Sequence, residues 1–321
     1  MIFSIIIPVF NAENTLATAI NSVINQSFTD WELLVVDDYS TDGTHQIAED
    51  FANNDIRIKL LKLQQNSGSA KMPRDTGIKN AQGEYIVFLD SDDELTADYL
   101  KTMYEHIFQY KADVVLPVLL KKEYGQDAVI SQIPCSGDSF EKVLSGTDAC
   151  RLTIPSWKVG CNGMAFKKDL YGHVFEENPY YYMYSDEYSE RLILYYADTV
   201  VISDAQYIFW QLPTSITHKK SVKLYEILYV DQQLIDFAAK NYGNDLATEQ
   251  FSATISHFIV LQKDLYRFSN VYSKEEKSRI RNILDETFKS LRETSGVRKS
   301  LKEKILLASS VTFRLFCMIK K

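Results

Sequence analysis

The sequence lacks several features that would assign it to a particular class of protein. Its 321 residues include only four cysteines, with no C-x-x-C pair and no cluster with histidine at metal-ligand spacing, which excludes a zinc ribbon or a disulfide framework. No run reaches the ~18 uncharged apolar residues of a membrane-spanning helix, and no basic segment precedes an apolar stretch at the start of the chain. We therefore expect a cytoplasmic protein with reduced thiols.

The charge is negative overall and unevenly distributed. A net charge of −8 argues against nucleic-acid binding. Residues 297–321, by contrast, carry seven basic side chains against Glu303, and they include the apolar stretch Leu301–Ile319. Such a segment is typical of a helix on an anionic membrane surface, which would place the protein peripherally at the inner face of a membrane. It is also typical of a helix that packs on its own domain or in a homo-oligomer, and we favour packing.

The first part of the chain alternates strand and helix patterns. The apolar runs predict strands over Phe3–Val9, Trp31–Val36, Ile56–Leu63, Tyr85–Leu89 and Ala112–Leu119. The helical spacing between them predicts helices over Glu13–Gln26, Asp42–Phe51, Pro73–Ala81 and Thr96–Tyr110. This order predicts an α/β fold, with a Rossmann-like, mostly parallel sheet flanked by helices.

The pattern changes in the second half of the chain. It blurs over 121–155, and then predicts a helix over Glu187–Tyr196 and strands over Cys161–Phe166, Thr199–Ile202 and Gln206–Trp210. From Ser221 onward, apolar residues recur at helical spacing. We therefore predict a catalytic domain over residues 1–220 and an all-helical region over residues 221–321.

Carboxylates follow two of the predicted strands. Asp37 and Asp38 come after the second strand, and Asp90, Asp92 and Asp93 come after the fourth. The carboxyl ends of parallel strands meet at one edge of the sheet, where their negative charges would repel one another. A hard divalent cation would offset this repulsion. Asp also favours turns and helix caps, and for Asp38 or Asp93 alone both interpretations stay open, whereas the position of Asp90-Ser91-Asp92 behind a buried strand favours a functional site.

Four motifs, in this order along residues 1 to about 220, resemble the family 2 glycosyltransferases, which have the GT-A fold. They are Ser4–Asn11, Leu34–Thr44, the pair Asn66–Gly68 and Pro73–Gly77, and Gly83–Asp93. The resemblance implies a nucleotide-sugar site that includes Pro8, Phe10, Asn11, Asp38, Arg74, Asp90 and Ser91. Within it, Asp38 would bind a uracil-type base, Arg74 would reach the nucleotide, and Asp92 with Asp90 would bind Mn²⁺ or Mg²⁺ as the D-x-D motif.

The resemblance also implies a general base at the start of a later helix. We assign this role to Asp186, with Glu187 as the alternative, while a helix cap is the competing interpretation of both. The sequence departs from the family at Trp210 and Leu212, where relatives often carry Arg and His. His218 is therefore only a weak candidate for a metal ligand.

These features together predict an inverting, metal-dependent glycosyltransferase. The donor would be a UDP-sugar, and the acceptor a glycan, polyol-phosphate or lipid-linked hydroxyl in bacterial cell-surface polysaccharide synthesis. One alternative is a sugar-phosphate nucleotidyltransferase, although Asn11–Asn14 stands where its glycine-rich phosphate loop would be expected. A catalytically inactive nucleotide-sugar-binding module is another. A receiver-type signalling domain also gathers aspartates at strand ends, but the chain length and the D-x-D position argue against it.

Overall fold

The computed structural model describes residues 1–134, 142–179, 183–212 and 220–310, together with Phe313 and Cys317. The chain divides into two compact units. The first, which we name the sheet unit, consists of Met1–Thr153, Trp157–Tyr181 and Ser189–Leu212. The second, the helical unit, consists of Ile154–Ser156, Tyr182–Tyr188 and Pro213–Lys321.

The sheet unit is built on a ten-stranded sheet. Its strands are β1 Phe3–Val9, β2 Trp31–Asp37, β3 Ile58–Lys62, β4 Tyr85–Phe88, β5 Glu94–Leu95, β6 Val114–Glu123, β7 Val129–Ile133, β8 Val143–Leu144, β9 Ala165–Lys167 and β10 Val200–Gln211. The main path runs β3-β2-β1-β4-β9-β6-β10-β5, with β7 beside β6 and β8 beside β10.

Helices connect these strands. They are α1 Leu16–Ile24, α2 Thr44–Asn54, α3 Lys71–Asn80, α4 Tyr99–Tyr110, α5 Gly146–Arg151, α6 Tyr171–Glu177 and α7 Ser185–Tyr196. Strands β1 and β2 are buried along their whole length, which explains their continuous apolar sequence. The central sheet with flanking helices confirms the predicted α/β class.

The predicted parallel pairing holds on both sides of β9. Strands β3, β2, β1 and β4 are all parallel, and β6 and β10 are parallel to each other. Strand β9 lies antiparallel between β4 and β6, so the sheet is mixed. The two short strands predicted over Thr199–Ile202 and Gln206–Trp210 are one strand, β10, with a register shift between Ile202 and Gln206. The polar residues at this irregularity interrupted the apolar pattern.

The described part of the helical unit after Ser221 contains no strand, as the sequence predicted. A 3₁₀ helix over Val222–Glu226 precedes α8 Ile227–Tyr242, α9 Asn244–Arg267, α10 Lys274–Glu293 and α11 Leu301–Ala308. Leu306, Leu307, Phe313 and Cys317 are buried in the core of this unit, while Leu301 and Ile305 are exposed. Among the described residues, none of the helices is both long enough and apolar enough to span a membrane.

Candidate active site

The turns after β1 and β2 are tied together by side chains. Asn11 Oδ1 accepts the Thr41 backbone N–H at 2.8 Å, and the Asn11 N–H donates to Ser40 Oγ at 3.0 Å. Asn11 and Tyr39 both have a left-handed backbone, with φ of 50° and 66°, which is uncommon for residues other than glycine and recurs at functional sites. These bonds hold both turns in one fixed arrangement.

The first predicted site residues lie at this pair of turns. Pro8 is buried in β1 opposite Val36 of β2, and its contact with a nucleotide stays a prediction. The Phe10 side chain, by contrast, is 42% exposed. An exposed aromatic ring beside a strained turn can contact a ligand that lies over the strand ends.

Of the two aspartates after β2, the first is part of the scaffold. Asp37 is fully buried, accepts the Ser40 backbone N–H at 2.8 Å and lies 2.9 Å from His45 Nδ1. Both of its oxygens thus hold the turn that carries Asp38. Asp37 thus differs from Asp38, which the family resemblance predicts to bind the uracil-type base of the nucleotide.

Asp38 lies between the second turn and the segment that precedes α3. Its Oδ1 accepts the Ser67 backbone N–H at 2.8 Å, and its Oδ2 accepts Ser67 Oγ–H at 2.9 Å and Asn66 Nδ2–H at 3.1 Å. Burial raises the pKa of Asp38 even though the Ser67 bonds oppose the shift. The motif containing Asn66 and Ser67 therefore holds and orients this carboxylate.

Arg74 lies in the first half of α3. Its Nη2 donates to Asp90 Oδ1 at 2.9 Å, and its guanidinium lies 5.0 Å from the centre of the Phe88 ring. Arg74 is only 7% exposed, which argues against an ordinary surface arginine. The structure thus brings two of the predicted site residues, Arg74 and Asp90, into direct contact.

Asp90, Ser91, Asp92 and Asp93 form what we name the acidic turn, directly after β4. Because β1 lies between β2 and β4 and is parallel to both, Asp38 and the acidic turn are at the same edge of the sheet. Asp90 and Ser91 are half-buried. Burial, together with the charge of Asp90, raises the pKa of Asp92 to about 6.

Asp90 and Asp92 fit a hard divalent cation. They offer carboxylate oxygens, and a cation would offset both the burial of the Asp92 charge and its repulsion by Asp90. Among the residues that the structure describes, no group of three or more His, Cys, Asp or Glu side chains could hold a metal ion. Mg²⁺ sites in proteins commonly use only one or two carboxylates together with phosphate oxygens of a substrate, so binding of Mn²⁺ or Mg²⁺ at Asp90 and Asp92 stays a prediction.

Asp93 has a role that the sequence left open. It is buried and its carboxylate is bonded by Tyr207 and Trp210 of β10. Burial raises its pKa well above the ordinary value, and the charges of Asp90 and Asp92 add to the shift. Tyr207 was missed because a lone tyrosine in a strand carries no sequence signal. Trp210, a departure from the family, also donates its Nε1–H to Glu94 at 2.7 Å.

The candidate base lies on the first turn of α7, in the helical unit. Asp186 Oδ1 accepts the Glu187 backbone N–H at 3.0 Å, and both side chains are half-buried. Burial is the main cause that raises the pKa of the nearby Tyr184 to about 12, and the charges of Asp186 and Glu187 add to it. The assignment of Asp186 over Glu187 stays a prediction. The weak candidate His218 lies outside the described residues.

The N-terminal half of the chain matches a known family. Residues 4–158 match the family model described as Glycosyl transferase family 2. The matched segment contains the turns around Asn11 and Asp38, Arg74 and the acidic turn, and it ends before Asp186.

Three relatives show how far the sequence similarity extends. Poly(ribitol-phosphate) beta-N-acetylglucosaminyltransferase TarS of Staphylococcus aureus is 40% identical over 118 residues, which are 36% of this chain and 20% of TarS. The putative teichuronic acid biosynthesis glycosyltransferase TuaG of Bacillus subtilis is 40% identical over 106 residues, 33% of this chain and 42% of TuaG. Glycosyltransferase GlyG of Streptococcus pneumoniae is 29% identical over 234 residues, 67% of this chain and 72% of GlyG. The aligned part thus spans less than half of the length of TarS and TuaG.

Solved structures extend the likeness of fold to nearly the whole chain. The crystal structure of Staphylococcus aureus TarS 1–349 in complex with UDP-GlcNAc has a TM-score of 0.68 and 21% sequence identity. The match covers 99% of this chain and 89% of that chain. The predicted GT-A fold with a helical C-terminal region is thereby confirmed.

Proposed function

Because this chain belongs to glycosyltransferase family 2 through residues 4–158, we propose that it transfers a sugar from a UDP-sugar to an acceptor hydroxyl. One observation carries the proposal: Arg74 and Asp90 meet at 2.9 Å, at the edge of the sheet where Asp38 also lies. TarS, which has a similar fold, was crystallised with UDP-GlcNAc. This supports a uridine diphosphate sugar as the donor here.

Three side chains would bind the nucleotide. The Asp38 carboxylate would accept a base N–H, in exchange for one of its present bonds such as that from Asn66 Nδ2. Arg74 would pair with the diphosphate, which offers its guanidinium a charge-assisted contact like that with Asp90. The exposed ring of Phe10 would contact the base or the ribose.

Asp90 and Asp92 would hold Mn²⁺ or Mg²⁺. When bound, the cation would neutralise the negative charge that develops on the leaving diphosphate. The two carboxylates also orient the donor at the acidic turn, with Ser91 between them. Their fit to a cation supports metal dependence.

The remaining requirement is removal of a proton from the acceptor hydroxyl. We assign this step to the Asp186 carboxylate, with Glu187 as the alternative. The acceptor oxygen would attack the anomeric carbon directly as the diphosphate leaves, and a single displacement of this kind inverts the configuration at that carbon. No covalent intermediate with a second carboxylate is required.

The acceptor that we propose is a glycan, polyol-phosphate or lipid-linked hydroxyl of a bacterial cell-surface polymer. The names of TarS and TuaG refer to poly(ribitol-phosphate) and to teichuronic acid biosynthesis, which supports this class. We also propose that residues 297–321 can contact a membrane surface and that two copies of the chain can assemble. The burial of Leu306 and Leu307 in the core of the helical unit is explained without either contact.

Thermal shift measurements with nucleotides test the donor site. We expect UDP with Mn²⁺ to raise the melting temperature by several degrees, and CDP, GDP and ADP to have little effect. EDTA should remove most of the UDP effect. A larger stabilisation by another nucleotide, or none by UDP, would contradict the donor class.

A screen of UDP-sugars for slow hydrolysis then tests the activity. We expect one or a few UDP-sugars to release UDP in a Mn²⁺-dependent manner, and the rate to rise when a suitable acceptor is added. Binding of UDP-sugars without hydrolysis or transfer would instead indicate an inactive nucleotide-sugar-binding module.

A further inference from the structure

Strand β10 is bonded to the acidic turn through one buried carboxylate and one buried hydroxyl. Asp93 Oδ2 accepts Tyr207 Oη–H at 2.8 Å, and Asp93 Oδ1 accepts the Trp210 backbone N–H at 3.0 Å. The Tyr207 hydroxyl oxygen also accepts the Asp90 backbone N–H at 3.2 Å. A single hydroxyl therefore bridges the first and the last aspartate of the turn.

The Tyr207 ring is itself held in place by the core. It is 1% exposed and lies against Gly163, which has a φ of +74°. A Cβ at position 163 would lie only 2.3 Å from Tyr207 Cδ2 and 3.0 Å from the Tyr99 hydroxyl. Glycine is thus required where the two rings approach the backbone. The ring that carries the Tyr207 hydroxyl is thus packed closely against the backbone at position 163.

The burial of the Asp93 carboxylate carries an energetic cost. Among the described residues, no Lys or Arg forms an ion pair with Asp93, and Asp90 and Asp92 lie beside it. A buried carboxylate without a cation is unfavourable, whereas a neutral side chain could accept the same N–H at lower cost.

We propose that Tyr207 and Asp93 are positioning residues that hold Asp90 and Asp92 in the geometry required by the metal-bound diphosphate. The inference rests on the proposed function, because it concerns the same acidic turn. Neither residue touches the donor: Tyr207 acts through the Asp90 backbone and Asp93. Small displacements of a metal ligand weaken binding, so groups that fix the ligands affect affinity without contacting the ion.

Tyr207→Phe tests the inference with a matched control. The substitution removes the bridging hydroxyl and leaves the ring against Gly163. Tyr99→Phe is the control, because Tyr99 is equally buried and its hydroxyl donates to the Gly163 carbonyl without reaching the acidic turn. Both variants lose one buried hydroxyl from the same part of the core, so a general loss of stability would affect them alike.

Two measurements separate positioning from stability. The first is the Mn²⁺ concentration that gives half-maximal stabilisation by UDP. This concentration should rise about fivefold in Tyr207→Phe, because the loss of one hydrogen bond changes an equilibrium constant by about that factor. It should stay unchanged in Tyr99→Phe. The second is hydrogen exchange without added metal. The Asp90 amide should exchange about tenfold faster in Tyr207→Phe, and at the native rate in the control.

Three outcomes would overturn the inference. The first is an unchanged Mn²⁺ midpoint in Tyr207→Phe, and the second is an equal change in both variants, which would indicate a structural role only. The third is a native chain that shows no Mn²⁺-dependent binding of UDP. That result would remove the proposed donor site itself, and it is distinguishable because it appears before any substitution is made.

Discussion

Arg74 on α3 and Asp90 on the acidic turn form an ion pair, with Nη2 and Oδ1 2.9 Å apart. The Arg74 side chain is 9% exposed, whereas that of Asp90 is 32% exposed. One member of the pair is thus fixed in the protein and the other is open to solvent. In the proposed donor complex, Asp90 would contact the metal ion in place of Arg74, and the Arg74 guanidinium would pair with a phosphate.

The first prediction concerns this exchange. Arg74→Gln should weaken UDP binding in the presence of Mn²⁺ by about tenfold or more, because a charge-assisted contact to the diphosphate is lost. Isothermal titration calorimetry measures the affinity directly. Lys79→Gln, which removes an exposed cation from the same helix, should bind UDP like the native chain, and equal affinities of both variants would contradict the role of Arg74.

The second prediction follows from Asp92, whose pKa burial and the Asp90 charge raise to about 6. A metal ion needs the deprotonated carboxylate, so protons and Mn²⁺ compete for this side chain. The Mn²⁺-dependent affinity for a UDP-sugar should therefore be constant above this pKa and should fall by up to about tenfold per pH unit below it.

Asp92→Asn provides the control for this pH dependence. The variant should have low Mn²⁺-dependent affinity at all pH values and should lack the decline near pH 6. A UDP-sugar is a better probe than UDP, because its diphosphate has no free terminal phosphate that titrates in this range. A decline that persists unchanged in Asp92→Asn would assign the titration to another group.

Much of the donor half of the site could be predicted from the sequence, because it follows buried strands. Long apolar runs marked β1, β2 and β4 within one or two residues, and the rule that ligands lie at the carboxyl ends of parallel strands then brought Asp38 and Asp90 together. Arg74 was predicted as a nucleotide-binding residue from the motif Pro73–Gly77. These signals are local, so each could be read from a short stretch of sequence.

The bridge between Asp93 and Tyr207 could not be predicted, because 114 positions separate the two residues. It depends on how β10 pairs with β5, and β5 is a two-residue strand, Glu94–Leu95, too short to show a pattern. The strand predicted over Cys161–Phe166 overlaps β9, but the three residues of β9 give no sign of its antiparallel direction. Short strands are defined by their neighbours in space, which a single sequence does not reveal.

The third prediction distinguishes the two candidate bases on α7. Asp186→Asn should lower kcat by about 100-fold or more with little change in the KM for the UDP-sugar, as expected when a general base is removed. Glu187→Gln should have a smaller effect on kcat. Steady-state kinetics with donor and acceptor varied separately provide the comparison, and the reverse ranking of the two variants would make Glu187 the base.

The fourth prediction concerns His257, which lies in the helical unit with Asp231. His257 Nδ1 is 2.8 Å from Asp231 Oδ2, and this hydrogen bond raises the pKa of His257 above the ordinary value of 6.5. Since the folded protein holds this proton more tightly than the unfolded chain, the resulting stabilisation is complete below pH 6.5. It is lost as the pH rises through the raised pKa of the folded state.

The melting temperature of His257→Gln should therefore lie below that of the native chain at low pH, and the difference should shrink as the pH rises. The Glu187 charge also contributes to the raised pKa of His257, so Glu187→Gln should move the decline to lower pH. A difference between native chain and His257→Gln that is constant with pH would mean that His257 stabilises this unit by packing and not by charge.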